Sequence, residues 1–592
     1  TTAGCGGGSG GSSDDAFGDP GNCTVVPLAA SSEKIDLMTE LAKSFNGSKA
    51  AELDKGCAFV RPYSKASGGA TELLATTWPE SGEGERPVIW SPAASSWGQI
   101  LNQRLADDGR DPMVSDDAPS FQNTPLVIAM PKPMADALGY PDKPIGWSDI
   151  ARLATSSDGW AAYGHPEWGA FKLGKTNPNF STSGLSALIG QAYAATGKTR
   201  DLSKEDLDDA AVAQLSAQIE SSVVHYGDIT MTFLNNWFRT DREGTSLQYA
   251  SAVAVEEKSV IDYNQGNPDG VLSAGETPRK PRVQLVAIYP KEGTLYSDSP
   301  LYTLDADWVS ADQKQAAQAF IDYAQRPEAQ RQVLEFGFRP GNPDVATGAP
   351  ITAANGVDPD QPTTLLQVPS PPVMLDLLAK WREQRKGARV LLVLDISGSM
   401  GDPADPDDQD GPTKLDLAKK AAIESLGEFN DTDEVGLRVF TTNLGSGQDQ
   451  DYLDLLPIAP MAQNREALAS KIRDQFPQNA TPLYDATRSA FDSVVAGYDR
   501  TKINAVVLLT DGDNDDGETS DDRAQLSQLL DSLSDSAQGE DATPVRIFPI
   551  AYGREADLDT LKEIAEATNA NAYDARDPET ITKVFTAVVS NF

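Results

Sequence analysis

The chain has 592 residues and carries 88 acidic against 49 basic side chains, a formal charge of -39 at pH 7. That length exceeds a single core and implies roughly two to four domains. The acidity argues against nucleic acid or anionic lipid as direct partners, and no apolar run approaches the roughly 20 residues of a membrane span.

At the N-terminus, Thr2-Ala3-Gly4 precedes Cys5, and a Gly/Ser run follows it. Small residues before a cysteine and a flexible tether after it resemble a bacterial lipobox. The resemblance implies a trimmed signal peptide, an acylated Cys5 and a tether over residues 1–19. Cys23 and Cys57 remain, both at the starts of strand-like runs. An even remainder in an exported protein reads as a disulfide.

From Cys23 to Ala29 the chain reads as a strand, and Ser31-Ser32 as a helix start. Ile35, Met38, Leu41, Ala42 and Phe45 then share one helical face, which Asn46-Gly47 ends. Cys57–Tyr63 and Pro87–Trp90 are further strands, each running into a loop of small polar residues. Strand, polar loop and helix in repetition is the rhythm of a parallel sheet. Thr124–Met130 and Val283–Tyr289 are apolar strands closed by prolines, flanking a middle segment with a Ser/Gly loop at 181–184 and the run His225-Tyr226-Gly227. Residues 311–336 read as helical with an interruption at Pro327, before Phe336-Gly337-Phe338-Arg339-Pro340.

This succession of lobes and loops over 20–345 resembles bacterial extracellular solute-binding proteins, in which paired crossover strands join two lobes around a ligand. The resemblance implies a two-lobed, periplasmic-binding-protein-like α/β domain. Ser67, Ser95, Ser183 and Tyr226 are the residues expected to line its cleft, with a small solute as the ligand. Residues 346–386 read as a Pro/Gly-rich linker and a short amphipathic helix with Met374, Leu377, Leu378 and Trp381 on one side.

The densest chemistry lies further on. Val390–Leu394 is a buried-strand run that empties into Asp395-Ile396-Ser397-Gly398-Ser399. Ala505–Leu509 is a second such run, ending in Thr510-Asp511-Gly512, and Thr481-Pro482-Leu483 lies between them just before a helix start. Open α/β sheets place ligands at these carboxyl ends. Two carboxylates and three hydroxyls suit a hard cation that keeps some of its waters. Asp-x-Ser-x-Ser, a Thr-Pro-Leu threonine and Thr-Asp-Gly together resemble the metal-ion-dependent adhesion site of von Willebrand factor type A domains. The resemblance covers 387–592 and implies a doubly wound, Rossmann-like sheet.

By that resemblance Ser397, Ser399 and Thr481 reach a divalent cation, Asp395 and Asp511 bind it or its waters, and one position stays open for a partner's carboxylate. Mg²⁺ is the first expectation, with Ca²⁺ or Mn²⁺ as alternatives. No nucleophile–base pair accompanies the motif, so the expectation is ligation rather than catalysis. Residues 401–411 add five aspartates that lack the glycine of a Ca²⁺ loop, and read as a solvated acidic flap. The whole chain reads as a bacterial, extracytoplasmic, membrane-anchored lipoprotein that binds a protein or other carboxylate-bearing partner through its metal. The rival is a solute receptor for uptake or sensing in which the metal-site domain is accessory.

Overall fold

The computed structural model describes residues 17–79, 83–227, 229–270, 277–444, 450–516, 521–537 and 543–592. They fall into two compact units, neither of them one continuous stretch. The first holds the described residues up to Gly146, Pro178–Leu207 and Ala254–Leu378. The second holds Trp147–Asn177, Asp208–Val253 and Ala379–Phe592.

In the first unit the Thr24–Ala30 strand lies between Ala58–Ser64 and Ile89–Ser91, parallel to both. Cys23 and Cys57 are bridged beside its first residue, and the Thr24 N–H donates to the Cys57 carbonyl at 2.7 Å. The helix Ile35–Phe45 buries Leu37, Met38, Leu41, Ala42 and Phe45. Asn46 ends it, and the Asn46 amide bonds both backbone groups of Val60, so one residue stops the helix and ties it to the neighbouring strand. The two crossover strands lie antiparallel, Gln122–Pro131 against Leu285–Ile288. Arg339–Pro340 pairs with the start of the former, and the interruption at Pro327 separates Ala311–Ala324 from Pro327–Glu335.

The stretch after Gly341 is no free tether. The Ala287 N–H donates to Gly356 O, and Thr294 exchanges backbone bonds with Thr364 and Leu366. The helix Pro371–Gln384 follows and buries Met374, Leu377, Leu378 and Trp381.

The second unit contains a six-stranded sheet in the order Tyr452–Pro460, Glu434–Phe440, Ala388–Asp395, Ile503–Thr510, Val545–Tyr552, Tyr573–Ala575. Only Tyr452–Pro460 runs antiparallel to its neighbour. Alternate residues of the inner strands serve opposite faces. Leu391, Val393, Val506 and Leu508 pack against the helix Leu483–Ala496 and its neighbours. Leu392, Leu394, Val507 and Leu509 pack with Ala422, Leu437, Ile472 and Phe585. Burial on both faces explains why the inner strands are unbroken apolar runs.

The same unit includes part of the middle segment. Leu173–Gly174 pairs with the start of the strand Ala252–Glu256, and the helix Thr230–Glu243 buries Phe233, Leu234 and Trp237. The Tyr226 N–H donates to Asn591 O at 3.0 Å, so this segment is sewn to the residues that end the sheet domain.

Candidate metal centre

Parallel pairing of Leu394 with Leu509 brings the next residues, Asp395 and Thr510, side by side. Thr510 Oγ1 donates to Asp395 Oδ2 at 2.6 Å, and the Ser397 N–H donates to Asp395 Oδ1 at 2.7 Å. Both carboxylate oxygens are therefore aimed. Ser397 opens a short helical turn, Gly398–Gly401, and this turn presents two hydroxyls in succession. Ser397 Oγ and Ser399 Oγ are 3.1 Å apart, and Ser399 Oγ donates to Asp511 Oδ1 at 2.7 Å.

Thr481 comes from a different connection, clipped to the same turn. The Gly398 N–H donates to Asn479 O and the Gln478 N–H to Ile396 O. Thr481 is buried, and a Cβ added at Gly512 would stand 3.4 Å from its Oγ1. The five motif residues are thus brought together at the carboxyl ends of Ala388–Asp395 and Ile503–Thr510. There the chain switches from one side of the sheet to the other, the usual ligand position.

Asp395 is fully buried, and burial followed by the charge of Asp511 pushes its carboxyl up to about 7. Hydrogen bonds from Thr510 and Ser397 oppose this. Asp511 has a neutralising neighbour absent from the sequence reading. Lys414 Nζ donates to Asp511 Oδ2 at 2.9 Å and also reaches Glu555 at 3.3 Å. Thr510 and Lys414 are the site residues that motif reasoning missed. Thr510 could have been found from register, since it immediately precedes Asp511 on the strand beside Asp395. Lys414 enters across the acidic flap. Pro403 bridges Thr413, the Lys414 N–H donates to Asp402 O, and the Thr413–Asp416 capping box starts the helix Lys414–Ser425.

The donor set fits a hard divalent cation. It comprises two carboxylates and three hydroxyls, oxygen throughout, and burial, then the charge of Asp511, pushes Asp395 toward protonation when no cation intervenes. Among the described residues no three His, Cys, Asp or Glu side chains converge for a metal. A cation at this site would therefore lean on hydroxyls and water, the habit of Mg²⁺.

The residues expected in the solute cleft fare differently. Ser67 Oγ accepts the Ala93 N–H at 3.0 Å and lies 3.5 Å from Thr182 Oγ1. The Gly68 N–H donates to Phe180 O, and a Cβ at Gly68 would fall 1.9 Å from Asn179 O. Segment 179–183 therefore sits flush on residues 67–68. Ser183 is buried with Ser181 Oγ 3.0 Å away, and the Ser95 N–H donates to Asp298. Tyr226 lies in the second unit and is fully buried. Tyr226 Oη donates to Glu220 and accepts the Lys386 N–H, and the ring stands edge-on to Trp381. Of its partners Glu220 is six residues upstream, whereas Trp381 and Lys386 lie more than 150 residues downstream. Cys5 lies outside the described residues.

Residues 26–339 match the family profile described as bacterial extracellular solute-binding protein, and residues 390–587 match that of the von Willebrand factor type A domain. An uncharacterized protein of Mycobacterium tuberculosis (strain ATCC 25618 / H37Rv) is 21% identical over 558 residues, which is 93% of this chain and 74% of that protein. Among solved structures, a periplasmic thiamin binding protein is 13% identical, covering 61% of this chain and 96% of its own, with a TM-score of 0.39. A von Willebrand factor type A structure from Catenulispora acidiphila is 20% identical and covers 34% of this chain, with a TM-score of 0.26. The chain spans 42% of that structure's length.

Proposed function

The chain belongs to the bacterial extracellular solute-binding protein family, and from that premise we propose an extracytoplasmic binding protein whose working site is a divalent cation in the type A domain. Its partner is a protein or other ligand that offers a carboxylate to the open coordination position. The observation that carries this reading is the convergence of Asp395, Ser397, Ser399, Thr481 and Asp511 on one point. Ser397, Ser399 and Thr481 would hold the ion, and Asp395 and Asp511 would bind it or order its waters. A bridged Cys23–Cys57 pair suits an oxidising compartment. The proposed role is recognition, with no turnover.

The test is the melting temperature of the full chain with Mg²⁺, Mn²⁺ or Ca²⁺ and with chelator, for wild type and Asp395→Ala. A cation that binds only the folded state stabilises it by about 2.7 kcal/mol at a hundredfold excess over its dissociation constant. Wild type should respond and Asp395→Ala should not. An equal response would end the assignment.

The family match itself favours a second reading, solute capture by the N-terminal lobes. A solute library that raised the melting temperature of the full chain in chelator would support it. The engaged hydroxyls of Ser67 and Ser183 place it second.

A further inference from the structure

At the end of the sheet opposite the metal centre, Arg546 is buried at the start of the strand Val545–Tyr552. Its Nη1 donates to Val224 O at 3.4 Å, a weak bond, and its Nε has no hydrogen-bond partner. Among the described residues no carboxylate pairs with it; burial acts on it first, and the groups it feels next are the neutral phenols of Tyr249 and Tyr498. An isolated buried guanidinium is costly, because burial removes the water that would otherwise solvate its charge.

The surroundings deepen this imbalance. Lys172 and Lys386 are half-buried close by, and burial followed by the charge of Arg546 pulls both ammonium groups down to about 8. Three cations thus share a region in which, among the described residues, none makes a salt bridge, although the charge of Asp499 acts on Lys386. Lys172 Nζ and Lys386 Nζ are each held by a backbone carbonyl, Gln248 O and Val223 O.

Neutral donors gather at the same place. Tyr249 Oη and Asn236 Nδ2 are buried without hydrogen bonds, and Tyr249 lies within interaction range of both Asn236 and Arg546. A buried water could satisfy such dipoles, but it would leave the guanidinium charge uncompensated. A planar, forked donor beside a hydroxyl and an amide suits an oxyanion.

We propose that Arg546, Asn236 and Tyr249 form a binding site for a small oxyanion, phosphate-like or carboxylate-like, where the middle segment meets the foot of the type A sheet. The anion completes the charge balance of this junction and holds the helices Thr230–Glu243 and Ser246–Tyr249 against the strand. The site is separate from the metal centre and does not depend on it.

The test uses the full chain in chelator, so that the metal centre is silent. Inorganic phosphate, sulfate and acetate are each titrated against sodium chloride of equal ionic strength, and the melting temperature is followed. Wild type should rise with at least one oxyanion beyond the chloride control, and the most effective of the three distinguishes a tetrahedral from a carboxylate ligand. Arg546→Gln should lose the response. In oxyanion-free buffer it should also match or exceed the wild-type melting temperature, since it removes a buried unpaired charge. Should that variant fail to fold, Tyr249→Phe serves instead, with oxyanion affinity expected to weaken about tenfold for one lost bond to a charged ligand. A wild type indifferent to all three anions would overturn the proposal, as would a variant that responds as wild type does.

Discussion

Lys414 reaches Asp511 from the first residue of a helix, and this one ammonium decides how the metal centre behaves without metal. Its side chain is 8% exposed and that of Asp511 is 0% exposed, so solvent screens the pair little. Removing one partner of a buried pair costs about 3–5 kcal/mol, because the other charge is left uncompensated. Lys414→Met should therefore destabilise the protein in chelator, and saturating Mg²⁺ should recover most of the loss. Scanning calorimetry checks this: the Mg²⁺-induced shift should exceed that of wild type, and an equal shift would show that Lys414 does not hold the Asp511 charge. A second residue sets the acid limit. His225 is buried between Phe233 and Phe548, and its Nδ1–H donates to Tyr226 O. Burial, then the charge of Arg546, pulls its pKa from 6.5 down to about 3. Between those values the unfolded chain binds the proton and the folded chain does not. The contribution is complete above pH 6.5 and is lost with falling pH, by up to about 1.4 kcal/mol per unit. Denaturant titrations should show the stability gap between wild type and His225→Asn closing from pH 6.5 toward pH 3; a constant gap would mean that His225 does not titrate as buried. The motif residues were legible in the sequence because their chemistry is local to strand ends. The place of Tyr226 was not, since its burial depends on Trp381 and Lys386 as well as on the nearby Glu220, and no window around residue 226 contains the first two.

Among elements, the inner strands announced themselves as apolar runs because both of their faces are covered. The edge strand Tyr452–Pro460 did not, because it is only half covered and carries two prolines. The helix Asp522–Ala537 is polar enough to pass for a loop; among its described side chains Leu529 and Leu533 are buried in the core, with Leu526 and Leu530 packed against it. Prolines also made the stretch after Gly341 read as a linker, although its backbone bonds to Ala287 and Thr294 fasten it along the first unit. The cysteine bridge, by contrast, followed from cysteine count and context. It joins residues separated by 34 positions at the start of two adjacent parallel strands. Closing a loop of that size stabilises by roughly 3–4 kcal/mol in the chain-entropy model. A Cys23→Ala/Cys57→Ala double variant should lose about that much from the unfolding of the first unit, and reduced wild type should match it. A double variant as stable as oxidised wild type would show that the strands need no staple.

At the scale of the whole molecule, the two sequence resemblances divide the chain at one linker, whereas packing divides it elsewhere. Trp147–Asn177 and Asp208–Val253 belong with the type A sheet. The contacts are specific. The Tyr226 N–H bonds Asn591 O, Lys386 Nζ bonds Val223 O at 3.0 Å, and Arg239 Nη2 bonds Glu566 O at 3.2 Å. Lys380 pairs with Asp208 at 2.8 Å, and His225 stands against Phe548. No local pattern could reveal this, because each partner lies more than 150 residues from the other. The consequence is mechanical. A protease site placed at the exposed Thr363–Leu365 stretch would cut the chain between its two family matches. The N-terminal piece would keep residues 147–253, and the C-terminal piece would keep the sheet domain. Because both pieces contribute to one packed unit, the cut should not release them. Buried His225, Tyr226, Phe548 and Arg546 would have to enter water for the pieces to part. Native size-exclusion chromatography of the nicked protein should give a single peak at the intact position, resolved into two bands only on denaturing gels. Two separate native peaks would mean that the middle segment and the type A domain are joined by the linker alone.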